Sequence, residues 1–432
     1  MDSEPGALCF YACCCNVGAR NDERFPEHRT THPVQSIRAG IRAQSLSVLP
    51  YLAARGSYHR SHGALVLTRY ADVKQALSSQ HLSSAAIPDL VHAFQAKTGS
   101  TDLHRLYELG RKAIVFTDRP EHARLRRLVG RCFTRDKLEK WDGLLSGAAL
   151  AQVRRFEETG GDFVAGLAGP FCMQVLLGLL GLPLSDAAKI DSWTTSMRYL
   201  LEPGFLTPQR LVKIYRLLED CFVYMQDVVR ARRANPGDDL VSDLLRHDVD
   251  DDALDDDEVV YSCIMVFVAG KETTKCLLGN GLHALLSFPD EYARLRDDIA
   301  QLPAAIQEML RFDSPLQQTK RVCREACRIG DATVSRGEAL LLCLGAANRD
   351  PGQFPDPDRF DSQRAQTANL ALGHGMHNCL GTQLSKLMTS HLFGALIPRW
   401  HSFALVDTDP PRINSSFILR GFQSLRIEVA RG

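Results

Sequence analysis

Apolar residues recur three or four positions apart along most of this chain, and that spacing predicts a mainly helical protein. It runs through residues 34–55, where Gly56 is well placed to end a helix, and through residues 71–77. Residues 137–235 are predominantly helical by the same criterion. Breaks are predicted in this long segment at residues 160–161, 181–183 and 203–204, which contain glycine or proline.

Shorter segments predict a small β region beside the helices. They are residues 58–59 with 64–67 as a hairpin, residues 332–333 and 339–343 as strands, and residues 416–419 with 424–427 as a closing hairpin. Residues 83–110 show no clear pattern, and we expect a loop-and-helix stretch there that faces a substrate. The predicted fold class is therefore mainly α with a small β region.

The N-terminal segment differs from the rest of the chain. Residues 1–33 are irregular and polar, so we predict a disordered tail there and one domain over residues 34–432. The consecutive cysteines at positions 13–15 are read as part of that tail. The segment has neither the basic start nor the long apolar stretch of a signal peptide.

A long apolar helix is predicted over residues 259–286, and its centre is polar. The interruption reads Ala269-Gly270-Lys271-Glu272-Thr273-Thr274. Such breaks of local preference concentrate at functional sites. The Thr273 hydroxyl can bond back to the Ala269 carbonyl and bend the helix, which would open a groove for dioxygen and water. The alternative is a bend that serves packing, with Glu272 paired to a basic neighbour.

Acidic residues crowd the segment before this helix, residues 248–258. Their spacing lacks the glycine and the terminal glutamate of a calcium-binding EF-hand loop. We read the run as a connector whose last acids, residues 255–258, stabilise the N-terminus of the next helix.

Composition excludes several classes of function. The 432 residues carry 51 basic and 51 acidic side chains, so no excess positive charge supports nucleic-acid binding. The 13 cysteines are an odd number spread over a long chain, which favours a reducing cytoplasm over a disulfide framework. They include no Cys-x-x-Cys pair, which argues against structural zinc. No stretch reaches the roughly 20 apolar residues of a membrane span.

The most distinctive stretch is residues 371–381, A-L-G-H-G-M-H-N-C-L-G, which an apolar run of helical spacing follows. Its marked residues fall on alternate positions: Gly373, Gly375, His377, Cys379 and Gly381. Glycines allow the backbone to turn tightly and to approach a flat ligand. A cysteine at a helix N-terminus has its anionic form stabilised. The pattern predicts a loop that delivers one thiolate to a metal.

Two other helices carry paired polar side chains. Pro120 opens one helix, on which His122 and Arg126 lie four residues apart and share a face. Glu308 and Arg311 lie three residues apart on another helix. Taken alone, each pair is most simply explained as part of a solvent-exposed helix surface.

Taken together and in this order, the motifs resemble those of the cytochromes P450, the haem-thiolate monooxygenases, and in particular the soluble bacterial type. The resemblance spans roughly residues 35–430 and implies that family's fold, a triangular helical prism around a buried haem b. It implies that Cys379 is the axial iron ligand and that His377, His122, Arg126 and Arg321 bind the haem propionates, with Arg324 as an offset competitor to Arg321. The other haem-contacting positions would be Ala269, Gly270, Leu372, Gly373 and Gly381. Leu372 is a departure, because the family usually has Phe there.

The resemblance also implies roles away from the propionates. Thr273 would act on bound dioxygen and Glu272 would belong to the proton path, since the chemistry requires two protons. Glu308, Arg311 and Arg359 would form a structural frame behind the haem.

The implied activity is insertion of one atom of dioxygen into a small, mostly apolar substrate, by hydroxylation or epoxidation in secondary metabolism. Electrons would come from a separate ferredoxin and its NAD(P)H-dependent reductase. Candidate ferredoxin contacts are Lys112, Arg124, Arg131 and Lys386. Oxidative coupling, cyclisation or desaturation stays open, as does a haem sensor or electron carrier, although Glu272 and Thr273 count against the last two.

Overall fold

The computed structural model describes residues 58–431, apart from residues 62, 99–102, 203–205, 247–251 and 414. Helices dominate the described residues. They are α1 Tyr70–Ser78, α2 Ile87–Thr98, α3 His104–Lys112, α4 Glu121–Gly130, α5 Arg135–Glu139, α6 Asp142–Thr159, α7 Gly169–Leu179, α8 Ala187–Met197, α9 Pro208–Ala234, α10 Leu240–Arg246, α11 Asp256–Ser287, α12 Pro289–Asp297, α13 Leu302–Phe312, α14 Leu344–Ala347 and α15 Thr382–Leu396. Short 3₁₀ turns join several of them.

The strands of the described residues form three small sheets. They are β1 Tyr58–Ser61, β2 Ala64–Leu67, β3 Leu82–Ser83, β4 Gly161–Asp162, β5 Thr319–Cys323, β6 Cys327–Ile329, β7 Ala332–Val334, β8 Ala339–Leu342, β9 Trp400–Leu405 and β10 Arg426–Arg431. Their orders are β1-β2-β8-β5-β3, β4-β10-β9 and β6-β7. All pairs are antiparallel except β2 with β8, where Ala64 faces Ala339.

Helix α11 is the centre of the helical part, and it packs against α7, α8, α9, α13 and α15. At 32 residues it is about 48 Å long. Most of its side chains are buried, because neighbouring elements pack around it on several sides. Its N-terminus carries a capping box, in which Asp255 and Glu258 each accept a hydrogen bond from the other's backbone N–H. The prediction that acids stabilise this helix start is confirmed.

A second, smaller core lies between α1 and the five-stranded sheet. Val73 and Leu77 of α1 belong to the same buried cluster as Leu340 and Leu342 of β8. Leu340 and Leu342 lie on one face of β8 and Leu341 lies on the other, as the two-residue period of a strand requires. This core brings the end of α1 against the loop that precedes α15.

Most predicted elements are present. The hairpin β1–β2, the helix at residues 70–78 and the strands β7 and β8 are confirmed. Gly160 and Gly181 end helical segments with positive φ angles of 61° and 64°. The expectations for residues 1–33, 34–55 and 203–204 fall outside the described residues.

One strand prediction is wrong. Residues 416–419 do not pair with residues 424–427 as a closing hairpin; Leu419 instead forms a single bridge with Leu316, and β10 pairs with β9 and β4. The alternation of apolar residues can suggest that a segment is extended, but it does not show which distant strand that segment pairs with. Among the described residues, no helix is long and apolar enough to cross a membrane.

Candidate active site

A cavity of about 360 Å³ lies beside the centre of α11, and the loop that precedes α15 forms part of its wall. Cys379 from that loop and Thr273 from α11 both line it. So do residues from α4 and β5, among them His122, Arg126 and Arg321. The fold therefore brings to one cavity the thiol, the hydroxyl and the basic residues that the sequence singled out.

The geometry of the loop explains its glycines. Gly373 and Gly375 adopt positive φ angles of 76° and 69°. A Cβ on Gly375 would lie 2.8 Å from the backbone oxygen of Leu77, at the end of α1. The Cys379 N–H donates to the Leu372 carbonyl at 2.7 Å, which closes the loop and presents the sulfur to the cavity. Leu372 and Gly381 line the cavity, whereas Gly373 only shapes the loop.

Cys379 differs from the other thiols. Of the nine cysteines in the described part of the chain, it alone is exposed, and it lines the cavity. Its exposed surface faces the cavity, while the sulfur itself lies deep within the protein. This burial raises the pKa of Cys379, although the Gly381 N–H, the Thr382 hydroxyl and Arg126 oppose the rise. A coordinated metal cation removes a thiol proton outright, so this sulfur suits a metal ligand better than a free thiolate.

Four basic side chains gather on the cavity wall: His122, Arg126, Arg321 and His377. The rings of His122 and His377 lie 4.1 Å apart, centre to centre. Both nitrogens of His122 are buried and have no hydrogen-bond partner. No carboxylate of the described residues forms an ion pair with Arg126 or Arg321. Buried polar nitrogens without partners, as in His122, are costly, and the two guanidinium charges have no carboxylate beside them, so this cluster suits a polar, anionic ligand.

The pKa values of these side chains reflect their burial beside one another's positive charge. Burial, reinforced by Arg126, lowers the pKa of His122 to about 4. Burial, reinforced by Arg321, lowers the pKa of His377 to about 3. Burial also lowers the pKa of Arg321 to about 10. A bound dianion would reverse these effects, because opposite charge favours the protonated form.

The choice between Arg321 and Arg324 is decided by position. The Arg321 guanidinium is buried, lines the cavity and donates to the Lys320 carbonyl at 2.8 Å. Arg324 is half exposed, and its side chain contacts Asp89 and the Ala85 carbonyl. Only Arg321 therefore reaches the basic cluster.

The polar centre of α11 has the predicted bend-inducing bond. The Thr273 hydroxyl donates to the Ala269 carbonyl at 2.5 Å. Ala269, Gly270, Thr273 and Thr274 line the cavity. The helix therefore holds this hydroxyl on a residue that lines the cavity.

Glu272 does not line the cavity. Its buried carboxylate accepts from Lys275 Nζ at 2.9 Å and from Lys271 Nζ at 3.1 Å, and Lys271 also contacts the half-exposed Asp191. Burial raises the pKa of Glu272, but the two lysines lower it by more, so the net shift is downward. The pairing with a basic neighbour that we considered as the alternative is therefore present. Lys271 therefore lies beside the acid.

The expected structural frame is present with one correction. Glu308 binds Arg311 through two bonds of 2.7 Å, and both side chains are buried. Arg359 offers only its carbonyl, because its own side chain is exposed. The second guanidinium on Glu308 belongs to Arg364, whose Nε lies 3.2 Å from the carboxylate.

The candidate partner contacts divide into two kinds. Lys112 pairs with Asp255, and Arg124 pairs with Glu258, so internal acids neutralise both. The N-terminus of α11 supplies both acids, Asp255 as its cap and Glu258 in its first turn. The sequence did not reveal these pairs because the partners lie more than 100 residues apart. Arg131 is exposed and Lys386 is half buried.

Two further residues complete the basic cluster, and sequence reasoning missed both. Ser84 lies 3.0 Å from His377 Nε2, and Asn378 binds Arg126 through its carbonyl at 2.6 Å and through its side chain. Asn378 lies inside the glycine loop and was within reach of a motif argument. Ser84 has no local signal, because it comes to the site through tertiary packing.

Comparison with known proteins gives one consistent result. The family model described as Cytochrome P450 matches residues 191–428, more than half of the chain. The chain is 32% identical over 372 residues to 6-deoxyerythronolide B hydroxylase of Saccharopolyspora erythraea, covering 85% of this chain and 90% of that protein. It is 30% identical over 426 residues to the cytochrome P450 monooxygenase PikC of Streptomyces venezuelae, covering 95% and 98%. The solved structure of P450 RauA, complexed with a biosynthetic intermediate of aurachin RE, superposes with a TM-score of 0.80 at 27% identity, covering 90% and 97%.

Proposed function

Because the chain belongs to the cytochrome P450 family of haem-thiolate monooxygenases, we propose that it inserts one atom of dioxygen into a small, mostly apolar organic substrate. The reaction is a hydroxylation or epoxidation that tailors a secondary metabolite. The observation that carries the proposal is that the Cys379 thiol and the Thr273 hydroxyl line the same cavity.

The residues present fit haem b. Cys379 would hold the iron, and the two orphaned nitrogens of His122, with Arg126, Arg321 and His377, would hold the two propionates. Arginine pairs with carboxylates through charge-assisted, often bidentate bonds. When bound, the haem supplies the iron centre at which dioxygen is activated with two electrons.

Thr273 and Glu272 are assigned to proton delivery. The Thr273 hydroxyl is at the cavity wall, where it can donate a proton or a hydrogen bond into the cavity. Behind it, Asp191, Lys271 and Glu272 form a continuous chain of ion pairs from the half-exposed surface to the centre of α11. Glu272 acts through this chain, as a relay held in its anionic form by two lysines and not as a free acid.

The substrate class follows from the cavity wall. Apolar side chains such as Leu176, Val266 and Ile418 dominate it, and apolar walls suit apolar ligands. The named relatives support secondary metabolism, since one is a 6-deoxyerythronolide B hydroxylase and another is complexed with a biosynthetic intermediate. Electrons would come from a ferredoxin, with Arg131 and Lys386 as its contacts.

The test of the proposal is the carbon-monoxide complex of the reduced protein. We expect the red-shifted Soret band of thiolate ligation in the wild type and its loss in Cys379→His. Cys327→Ser is the matched control and should keep the band, because that half-buried thiol does not line the cavity. A band that survives in Cys379→His would exclude Cys379 as the ligand.

A further inference from the structure

One carboxylate interrupts the apolar wall of the cavity. Among the described residues that line it, Glu202 is the only acid. It follows the 3₁₀ turn Arg198–Leu201 at the end of α8, and only 3% of its surface is exposed. Its two oxygens accept from Ser416 Oγ at 2.5 Å and from the Phe417 N–H at 2.9 Å. Both donors are neutral.

The Glu202 carboxylate has no cationic partner in the described part of the chain. Arg198, four residues earlier, donates instead to the Thr195 carbonyl, to the Tyr199 hydroxyl and to Ser415. Its Nη1 is buried and has no partner of its own. A carboxylate offers about four acceptor positions, of which Glu202 uses two. A buried charge without a counter-charge is costly, so a cation in the cavity would relieve this cost.

A purely structural role explains Glu202 poorly, because the turn it contacts is already closed. Ser416 Oγ accepts from the Leu419 N–H at 2.9 Å. On the other side, the Gln317 N–H donates to the Ile418 carbonyl at 2.7 Å, and the Gln318 amide donates to the Phe417 carbonyl at 3.1 Å. These bonds hold Ile418 against the cavity without help from a carboxylate.

The cationic side chains of the cavity wall do not compensate Glu202. His122, Arg126 and His377 belong to the basic cluster beside the glycine loop, and none of them bonds to Glu202. Lys320 precedes Arg321 in β5, and neither of these two side chains forms an ion pair with Glu202. The cavity therefore combines a basic cluster that an anionic cofactor would neutralise with one separate, uncompensated acid.

The geometry points to Glu202 as the polar anchor of the substrate, and to a substrate that carries a protonated amine on an apolar skeleton. The inference rests on the proposed function, because the anchored molecule is the one to be oxidised. Pockets of this kind commonly use few polar groups to orient an otherwise apolar ligand. A charge-assisted bond to a buried acid would supply both orientation and selectivity.

The experiment compares two probes with the same apolar chain and opposite charge, N,N-dimethyldodecylamine and dodecanoate. Binding to the haem-loaded protein is measured by titration calorimetry at neutral pH, and the haem spin-state shift reports entry into the cavity. We expect the wild type to bind the amine more tightly. Glu202→Gln should weaken amine binding tenfold or more, which is about 1.4 kcal/mol, and leave dodecanoate binding unchanged or tighter.

Ser416→Ala is the control for the turn, since it removes a donor to Glu202 and keeps the carboxylate. It should retain the preference for the amine. The inference is overturned if the wild type fails to bind the amine or prefers dodecanoate, or if Glu202→Gln changes both affinities by the same factor. The carbon-monoxide band, read first in every variant, separates this failure from a failure of the proposed function.

Discussion

The frame behind the proposed haem site allows a sharp test, because two arginines five residues apart have different roles. The Arg364 guanidinium reaches Glu308 Oε1 at 3.2 Å and also donates to the Pro355, Asp356 and Arg359 carbonyls. Its side chain is only 9% exposed. The Arg359 side chain is exposed and contributes no bond. We therefore predict that Arg364→Met destabilises the protein and that Arg359→Met does not.

The expected magnitude follows from what remains in each variant. In Arg364→Met, Arg311 still neutralises Glu308 through two bonds of 2.7 Å, so no buried charge is left alone. The loss is one charge-assisted contact and weaker bonds to carbonyls that water can reach, about 2–3 kcal/mol in all. Arg311→Met removes the principal partner of a buried acid and should cost about 3–5 kcal/mol. Arg359→Met should stay within about 0.5 kcal/mol.

The assay is urea unfolding of the haem-loaded variants, followed in parallel by far-ultraviolet circular dichroism and by the Soret band. The measured quantity is the apparent free energy of unfolding, ranked Arg311→Met, Arg364→Met, Arg359→Met from the largest loss to the smallest. Arg364→Lys is a further control and should be intermediate, because it keeps the charge and loses the fork of donors. Equal losses for Arg359→Met and Arg364→Met would refute the assignment of the frame.

Three other predictions concern separate parts of the molecule. Thr273→Ala should keep haem and the carbon-monoxide band but divert electrons to hydrogen peroxide, and unchanged product formed per NAD(P)H consumed would contradict its proton role. Burial, reinforced by Arg412, lowers the pKa of His283 from 6.5 to about 4. Between these two pH values the unfolded chain binds a proton at His283 and the native protein does not, so the free energy of unfolding should fall as the pH drops from 6.5 to 4. His283→Gln should flatten this fall by about 1–3 kcal/mol in denaturant titrations. Asp255→Ala should cost about 1 kcal/mol in the same titrations because α11 loses its cap, whereas Asp257→Ala, its neighbour, should cost less.

Residues that lie close together in sequence were the most predictable part of the site. The loop at residues 371–381 and the polar centre of α11 are local patterns, and their backbone geometry depends on neighbours within a few positions. The Thr273 bond to Ala269 is an example, since a helix places these residues one turn apart whatever surrounds it. The position of Thr273 within a helix was therefore enough to predict this bond.

Choices between similar residues were not predictable where the partner lies far away in the sequence. Arg359 and Arg364 have the same side chain within one irregular segment, and only the folded path of that segment shows which guanidinium meets Glu308. The prediction of a closing hairpin was wrong for the same reason: β10 pairs with β9 and with β4, and β4 lies far away in the sequence. Glu202 carried no motif, and its position at the cavity appears only after α8 and the turn at residues 415–419 are packed together.

Glu272 shows how a motif can single out a residue without describing its surroundings. A motif identifies an acid next to a hydroxyl, but whether the acid is protonated depends on its neighbours in space. Here Lys271 and Lys275 keep the carboxylate ionised, and Lys271 connects it to Asp191 at the surface. In the proposed function, a proton that reaches Thr273 by way of Glu272 passes along this ion-paired chain, and Glu272 returns to its anionic form after each transfer. It follows that removing the Asp191 carboxylate should slow proton delivery even though Asp191 lies outside the cavity.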